Sequence, residues 1–422
     1  MELVAGHVIF RHGDRTPVTT FPTDPVKPSD WPNGLGQLTS TGIEQHHRLG
    51  AYLRNRYGSL LSSNYTASEI TIRSTDLDRT LMSAQSNLIG LYPINATDNK
   101  VPIQPIPVHT VPTNLDFLLG VSDCPRYDQI EVEVDQSEEV NKVNQYYQDF
   151  FKQLELWTNM TNITVYDAWV VADTIFVEHL YNKAPAWAND GVRKNLSDIS
   201  DRAFHFLFEN NDTKRIRGGP VIQDVWLNMN SSLHAKPFKK VKIYSAVCHK
   251  VIQDVWLNMN SSLHAKPFKK VKIYSAHDTT VSAILSFLGI NYPHQPQYAS
   301  AIFVDLYQQN SSYFVKVEYL NVTDSNASYA YVLNGCPAEE CPFDKFTSIY
   351  QPIFPATPDV ECVKKEPPMP PSGGNKKLTA ILAVVITVLI IIIFVMFLCL
   401  YLRKNDQDPQ LLGSARSIQS SV

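Results

Sequence analysis

With Lys+Arg 37 against Asp+Glu 41, the 422-residue chain carries a formal charge of -4, and 44% of it is hydrophobic and 18% charged. That composition excludes an intrinsically disordered chain and is ample for a sizeable core. The mild acidity, with no long Lys/Arg run ahead of the C-terminal apolar stretch, excludes a general affinity for nucleic acid.

The first element is "LVAGHVIF" (residues 3–10), a continuous apolar run that reads as a buried strand. It starts almost at once, without the charged, apolar and small-residue regions of a secretory leader. It ends in "RHGDRTP", which gathers Arg11, His12 and Arg15, with Gly13 expected to let the backbone turn sharply. "GIEQHHRLGAYLRNRY" reads as a helix; His46 and His47 are adjacent on it, cannot face one ligand together, and are expected on its surface. A second strand, "EITI" (69–72), ends in "RSTDLDRT", which holds Arg79, and a helical pattern follows at 81–92. His109 lies in the extended "PIPVHTVP", where a structural role is favoured over one in orienting a crevice.

From about 126 to 215 the pattern changes to amphipathic helices with few strand signals, which predicts a helical cap. Trp169, in "YDAWVVADT", belongs either to the cap's core or to the mouth of a pocket. A third strand, "KVKIYSA" (270–276), ends in His277 and Asp278 of "HDTT", with a helix after it at 281–290, and residues 300–320 read as a hairpin. These elements predict an α/β fold, a three-layer sandwich with a mostly parallel central sheet, built from residues 1–125 and 216–362. In such sheets ligands bind outside the carboxyl ends of the strands, so all three charged endings would face one crevice.

Residues 363–377 are Pro-rich and read as a stalk. Leu378–Leu402 carries no charge and would be about 37 Å long as a helix, which predicts one transmembrane span with residues 403–422 as a tail. Lys376 and Lys377 before it balance Arg403 and Lys404 after it, so charge does not set the orientation. The sequons do: Asn64, Asn95, Asn159, Asn162, Asn195, Asn211, Asn230, Asn260, Asn310, Asn321 and Asn326 all precede the span. A type I glycoprotein with a lumenal or extracellular folded part is expected. Such a topology requires a leader, so the start is read as truncated or mispredicted. In the tail, Asp408, Leu411 and Leu412 of "DQDPQLL" resemble an acidic dileucine sorting signal.

Of the six cysteines, Cys399 lies in the apolar span and Cys248 in the odd "VCHK". Cys124, Cys336, Cys341 and Cys362 are expected to pair in an oxidising compartment, while zinc on Cys336 and Cys341 is disfavoured by their spacing. "VCHK" closes a repeat: residues 221–246 recur letter for letter as 251–276, the first copy running into "VCHK" and the second into "HDTT". Only the second ending offers a histidine beside an aspartate, so its strand is expected in the sheet. The first copy is read as surplus: removing 221–250 would restore an uninterrupted sequence after Gly218 and Gly219, and a retained extra copy would have to be extruded as a loop.

Three guanidiniums in one crevice repel one another unless an anion sits among them, and their planar forks suit the oxygens of a phosphate. Among such cations His12 stays neutral and keeps a ring nitrogen for attack on phosphorus. Asp278 is the carboxyl placed to protonate a leaving alcohol, and the arginines stabilise the transferring phosphoryl group. No cofactor or metal is called for; His-Glu-x-x-His, a P-loop and a Gly-x-Ser-x-Gly elbow are all absent from the sequence.

"RHGDRTP", "RSTDLDRTLMSA", "PIPVHTVP" and "YSAHDTT", in this order and with "WPNGLGQLTSTGIEQH" and "LNGCPAEECPFDKF", strongly resemble the histidine acid phosphatases of the phosphoglycerate mutase-like superfamily. The resemblance runs from about Glu2 to Cys362 and is greatest to the family's lysosomal and prostatic group. It implies His12 as the nucleophile of a phosphohistidine, Asp278 as proton donor, and Arg11, Arg15, Arg79 and His277 as phosphate ligands. It also implies the disulfides Cys124–Cys362 and Cys336–Cys341, and the loss of a third bridge at Val177 and Ala301. The implied partners are a phosphomonoester or phosphoprotein substrate and a membrane; a homodimer is left open.

Overall fold

A computed structural model describes residues 1–94, 103–120, 124–233, 268–292, 294–321 and 327–365. In chain order its main elements are β1 (Glu2–Arg11), α1 (Ser40–Tyr57), β2 (Ile70–Ser74), α2 (Asp78–Leu91), α3 (Pro125–Asp135), α4 (Glu138–Tyr146), α5 (Gln148–Thr158), α6 (Val165–Leu180), α7 (Asp190–Glu209) and α8 (Asn211–Arg217). There follow α9 (Gly219–Leu233), β3 (Val271–Ala276), α10 (Asp278–Phe287), β4 (Ala301–Gln309), β5 (Ser312–Leu320), β6 (Tyr329–Tyr331), β7 (Glu340–Pro342) and α11 (Phe343–Tyr350).

The strands form one sheet in the order β2-β3-β1-β4-β5-β6, with β7 also on β5. Among the described strands, β2–β3 and β3–β1 pair in parallel and the remaining pairs are antiparallel. The expectation of a mostly parallel sheet is therefore corrected to a mixed one. The physical reason is the hairpin at 300–320: its second strand continues the sheet by a tight turn, and a tight turn permits only antiparallel pairing.

The layers follow from the period of two along β1. Val8 and Phe10 face one side, with Leu49 and Leu53 of α1 and Ala84 and Leu88 of α2. Ala5 and Ile9 face the other, with Val221 and Val225 of α9 and Ile284 of α10. Helices thus cover both faces, which explains why the strands read as continuous apolar runs. The helices of the 126–215 stretch have a core of their own around Phe151, Leu154, Val171, Ile175 and Leu196.

Trp169 belongs to that packing, edge-on to Phe204 at 5.2 Å between ring centres. His109 contributes its backbone, pairing with Ile72 and Ser74 at the sheet edge, with its side chain exposed. The disulfides Cys124–Cys362 and Cys336–Cys341 are formed. Val177 and Ala301 are both buried, but in separate clusters, the first with Val26 and Trp31 and the second with Val8 and Phe303. Six sequon asparagines, Asn64, Asn159, Asn162, Asn195, Asn211 and Asn310, are exposed. Among the described residues no helix is long and apolar enough to cross a membrane; the predicted span 378–402, the tail and most of the stalk lie outside them.

The repeat is divided between its copies. The first copy supplies α9 and the second supplies β3, and polar contacts join them: Asn228 exchanges hydrogen bonds with the Lys269 backbone at 2.8 and 3.0 Å, Lys272 pairs with Asp224 at 2.9 Å, and the Tyr274 hydroxyl donates to Asp224 at 2.8 Å. The surplus is therefore not the whole first copy. "VCHK" and the expected extruded loop lie outside the described residues.

Candidate active site

Parallel pairing puts Arg11 beside Ala276 and Ser74 beside Ser275, so β1, β2 and β3 end at one edge. Beyond that edge the chain places His12, Thr75 to Arg79, and His277 with Asp278. The three stretches that sequence reasoning singled out do share one crevice.

His12 is fixed from three sides. Its backbone N–H donates to the Ala276 carbonyl at 3.0 Å, its carbonyl accepts from Ala299 at 3.0 Å, and its ring Nδ1 donates to the Gly13 carbonyl at 2.8 Å. With Nδ1 carrying the proton, Nε2 keeps a lone pair. Gly13 is required for a reason other than the expected turn: it lies outside the left-handed region, but a β-carbon there would meet the Gly42 carbonyl oxygen at 2.5 Å. The loop and the first turn of α1 touch backbone to backbone. Ala299 does adopt a left-handed conformation, φ 54°, which costs an alanine about 1–2 kcal/mol, and its N–H holds the His12 loop.

The arginines differ in how far the protein satisfies them. Arg11 Nη2 pairs with Asp278 at 2.8 Å, its Nη1 donates to the Pro296 carbonyl, and its guanidinium lies 4.2 Å from the centre of the Tyr298 ring. Arg15 pairs with Asp173 of α6 at 2.8 Å. Arg79 has no hydrogen-bond or ion-pair partner among the described residues. The Nε atoms of all three, and the Tyr298 hydroxyl, are buried without a partner. His277 is held through Nε2 by the Thr75 hydroxyl at 3.0 Å and stands 5.6 Å from His12 between ring centres. Asp278 accepts from Thr279 N–H at 2.8 Å and from the Gln295 amide at 2.8 Å. A cleft of about 470 Å³ opens beside Arg11, lined on the far side by α6 and α7.

A family model described as Histidine phosphatase superfamily (branch 2) matches residues 2–319. The chain belongs to that superfamily. Among its relatives, prostatic acid phosphatase of Homo sapiens is 35% identical over 366 residues, covering 84% of this chain and 86% of the relative. Lysosomal acid phosphatase of Homo sapiens is 34% identical over 364 residues, covering 84% and 79%. Among solved structures, the Hafnia alvei phytase in complex with tartrate superposes with a TM-score of 0.62 at 16% identity, covering 86% of this chain and 99% of that one, a likeness of fold.

In this histidine phosphatase the crevice sets unusual protonation states. His12 is driven well below the ordinary imidazole value, first by burial and then by Arg11, Arg15, His277 and Arg79. His277 falls to about 3, first by burial and then by Arg79. Burial and the neighbouring Arg15 bring Arg79 down to about 10, so its cation is the least compensated. Burial pushes Asp278 up, but Arg11, the Gln295 hydrogen bond, Arg15 and His277 outweigh it and hold the carboxyl at about 2.

Sequence reasoning missed Thr75, Tyr298, Gln295 and Asp173, which reach the crevice from the β2–α2 connection, the stretch before β4, and α6. It also placed His46 wrongly. His46 is buried beneath the loop, 4.7 Å from the Phe10 ring centre, with Nε2 donating to the Arg11 carbonyl at 3.1 Å; His47 alone is exposed. The available signal was helical spacing, since His46 shares a face with Leu49 and Leu53.

Proposed function

We propose that this chain is an acid phosphatase, hydrolysing phosphomonoesters through a phosphohistidine on His12. One observation carries the reading: buried donors without partners among the described residues, the three Nε atoms and the Tyr298 hydroxyl, belong to side chains close to a histidine whose second nitrogen has no partner there either. Oxygen acceptors of a phosphoryl group would satisfy them. The names of the prostatic and lysosomal relatives support the same activity.

Nε2 of His12 attacks phosphorus as the bond to the leaving oxygen breaks, and Asp278 gives that oxygen its proton. Water then attacks the phosphohistidine and passes a proton to Asp278 as the P–N bond breaks, releasing phosphate. Arg11, Arg15, Arg79 and His277 hold the phosphoryl oxygens throughout. Acid operation follows from the crevice: an ordinary imidazole would be protonated at pH 5, whereas His12, depressed by burial and arginines, remains a nucleophile. Arg11 holds the Asp278 carboxyl low, and the negative charge of a bound phosphomonoester offsets that field, so that Asp278 takes up a proton at acid pH.

The test is alkaline denaturing quench of the enzyme during turnover of a ³²P-labelled substrate. Acid-labile label on the wild-type chain and none on His12→Ala is expected; unlabelled wild type during turnover would remove the intermediate. Asp278→Asn is expected to lose about 10²–10⁴-fold with an alkyl phosphate and far less with nitrophenyl phosphate. Equal losses on both substrates would take Asp278 out of the acid role.

We further propose residues 126–215 as a cap on an α/β catalytic domain of 1–125 and 216–362, and a type I membrane glycoprotein anchored by Leu378–Leu402. The uncharged stretch and the exposed sequon asparagines support that topology. Resistance to carbonate extraction and a mass shift on deglycosylation are the expected outcomes.

A further inference from the structure

The crevice contains a second carboxylate that the mechanism does not use. Asp173 comes from α6, on the wall facing the strand ends, and is about as buried as Arg15, whose Nη2 donates to its Oδ1 at 2.8 Å. Its Oδ2 is buried and has no partner. Asp278 differs, since both its oxygens accept hydrogen bonds. Arg15 in turn gives its other Nη to the Thr16 carbonyl at 3.2 Å, and Asp173 also lines the cleft that opens beside Arg11.

A carboxylate in an anion site works against a fully ionised ligand. It competes for Arg15 and sets a lone-pair oxygen against the ligand's oxygens, both of which cost binding energy in a dry crevice. A phosphoryl group that still carries a proton reverses the balance, because its P–O–H can donate to the vacant Oδ2. At acid pH a phosphomonoester carries that proton.

We propose that Asp173 is a specificity-determining residue that reads the proton on the phosphoryl group, accepting a hydrogen bond from the monoanion and disfavouring the dianion. The proposal rests on the crevice being a phosphate site. It assigns the substrate's acidic form to a contact on the α6 wall, separate from the strand-end residues that perform the chemistry. A tetrahedral dianion without a proton, such as sulfate at pH 5, should be discriminated against despite its similar size.

The experiment is calorimetric titration of the full chain in detergent with inorganic phosphate and with sulfate at pH 5, for wild type, Asp173→Asn and Asp173→Ala. Wild type should bind phosphate about tenfold more tightly than sulfate, the weight of one charge-assisted hydrogen bond. Both variants should lose that preference, with sulfate tightening until the two constants agree within about threefold. In kinetics on nitrophenyl phosphate, Asp173→Asn should lower KM at pH 7.5, where the dianion dominates, more than it does at pH 5. An unchanged phosphate-to-sulfate ratio in Asp173→Asn would overturn the proposal. Binding is read without turnover, so a wild type that discriminates the anions but hydrolyses nothing would sink the catalytic reading alone, and one that binds neither would overturn both.

Discussion

His7 lies within β1 and His12 just beyond its last residue. Both are buried, and both are held well below the usual imidazole range, chiefly by burial. What separates them is how their nitrogens are used. His7 donates through Nδ1 to the Val304 carbonyl at 2.8 Å and accepts at Nε2 from Asn228 at 3.0 Å, so the ring is fully used as a tie between β1, β4 and α9. His12 uses one nitrogen on Gly13 and has no partner among the described residues for the other, and Arg11, Arg15 and Arg79 lie close enough to act on the ring. Burial and neutrality do not distinguish a structural histidine from a catalytic one. The vacant nitrogen and the surrounding cations do.

The contrast is most easily broken at His12, through its loop rather than its ring. Gly13→Ala would push a β-carbon into the Gly42 backbone, where neither side can yield as a flexible side chain would. A fall in kcat/KM of about 100-fold or more is expected, since a displacement near 1 Å is enough to cost that much. Steady-state kinetics on a variant with native circular dichroism checks it; wild-type activity would mean the loop is not held by that contact.

At the other histidine the effect should fall on stability. His7→Asn is expected to leave kcat unchanged and to cost about 1–3 kcal/mol at pH 7.5 through lost hydrogen bonds and packing. The sign with pH follows from His7 being depressed to about 3 in the fold against 6.5 in the unfolded chain. Its contribution is fully present above pH 6.5 and is lost as pH falls towards 3, because the unfolded chain takes up the proton first. The deficit of the variant should therefore shrink between pH 7.5 and pH 5 in denaturant titrations; a deficit that grows would contradict the neutral assignment.

The same distinction explains how much could be read from the sequence. "RHGDRTP", "RSTDLDRT" and "YSAHDTT" each follow a continuous apolar strand, and local pattern sufficed to place Arg11, His12, Arg79, His277 and Asp278 at one sheet edge. Asp173 and Tyr298 carry no such signal. Asp173 sits in a helix of ordinary amphipathic spacing, and only the docking of α6 over Arg15 turns it towards the site. The sheet was half legible for a related reason: apolar runs show that a strand is buried, while its direction depends on the connection. The rule that adjacent histidines cannot share a ligand was sound for His46 and His47, but the surface placement drawn from it ignored the apolar residues three and seven positions on.

The mildest intervention tests the far side of the sheet. Because the repeat is exact in sequence, deleting residues 234–263 yields the same chain as deleting 221–250, with α9 joined to β3 by 264–270 alone. The deletion leaves Asn228, Asp224 and their partners Lys269, Lys272 and Tyr274 in place as equivalents, and it enters β3 at Val271, the end opposite His277 and Asp278. Activity should therefore stay within about twofold. Stability should rise on the order of 1.5 kcal/mol, the loop-closure entropy of a connection shortened roughly fivefold, visible as a higher denaturation midpoint with little change in KM. A loss of activity beyond about tenfold would mean that the two ends of β3 are coupled, and that the crevice depends on the duplicated segment as it does not depend on His7.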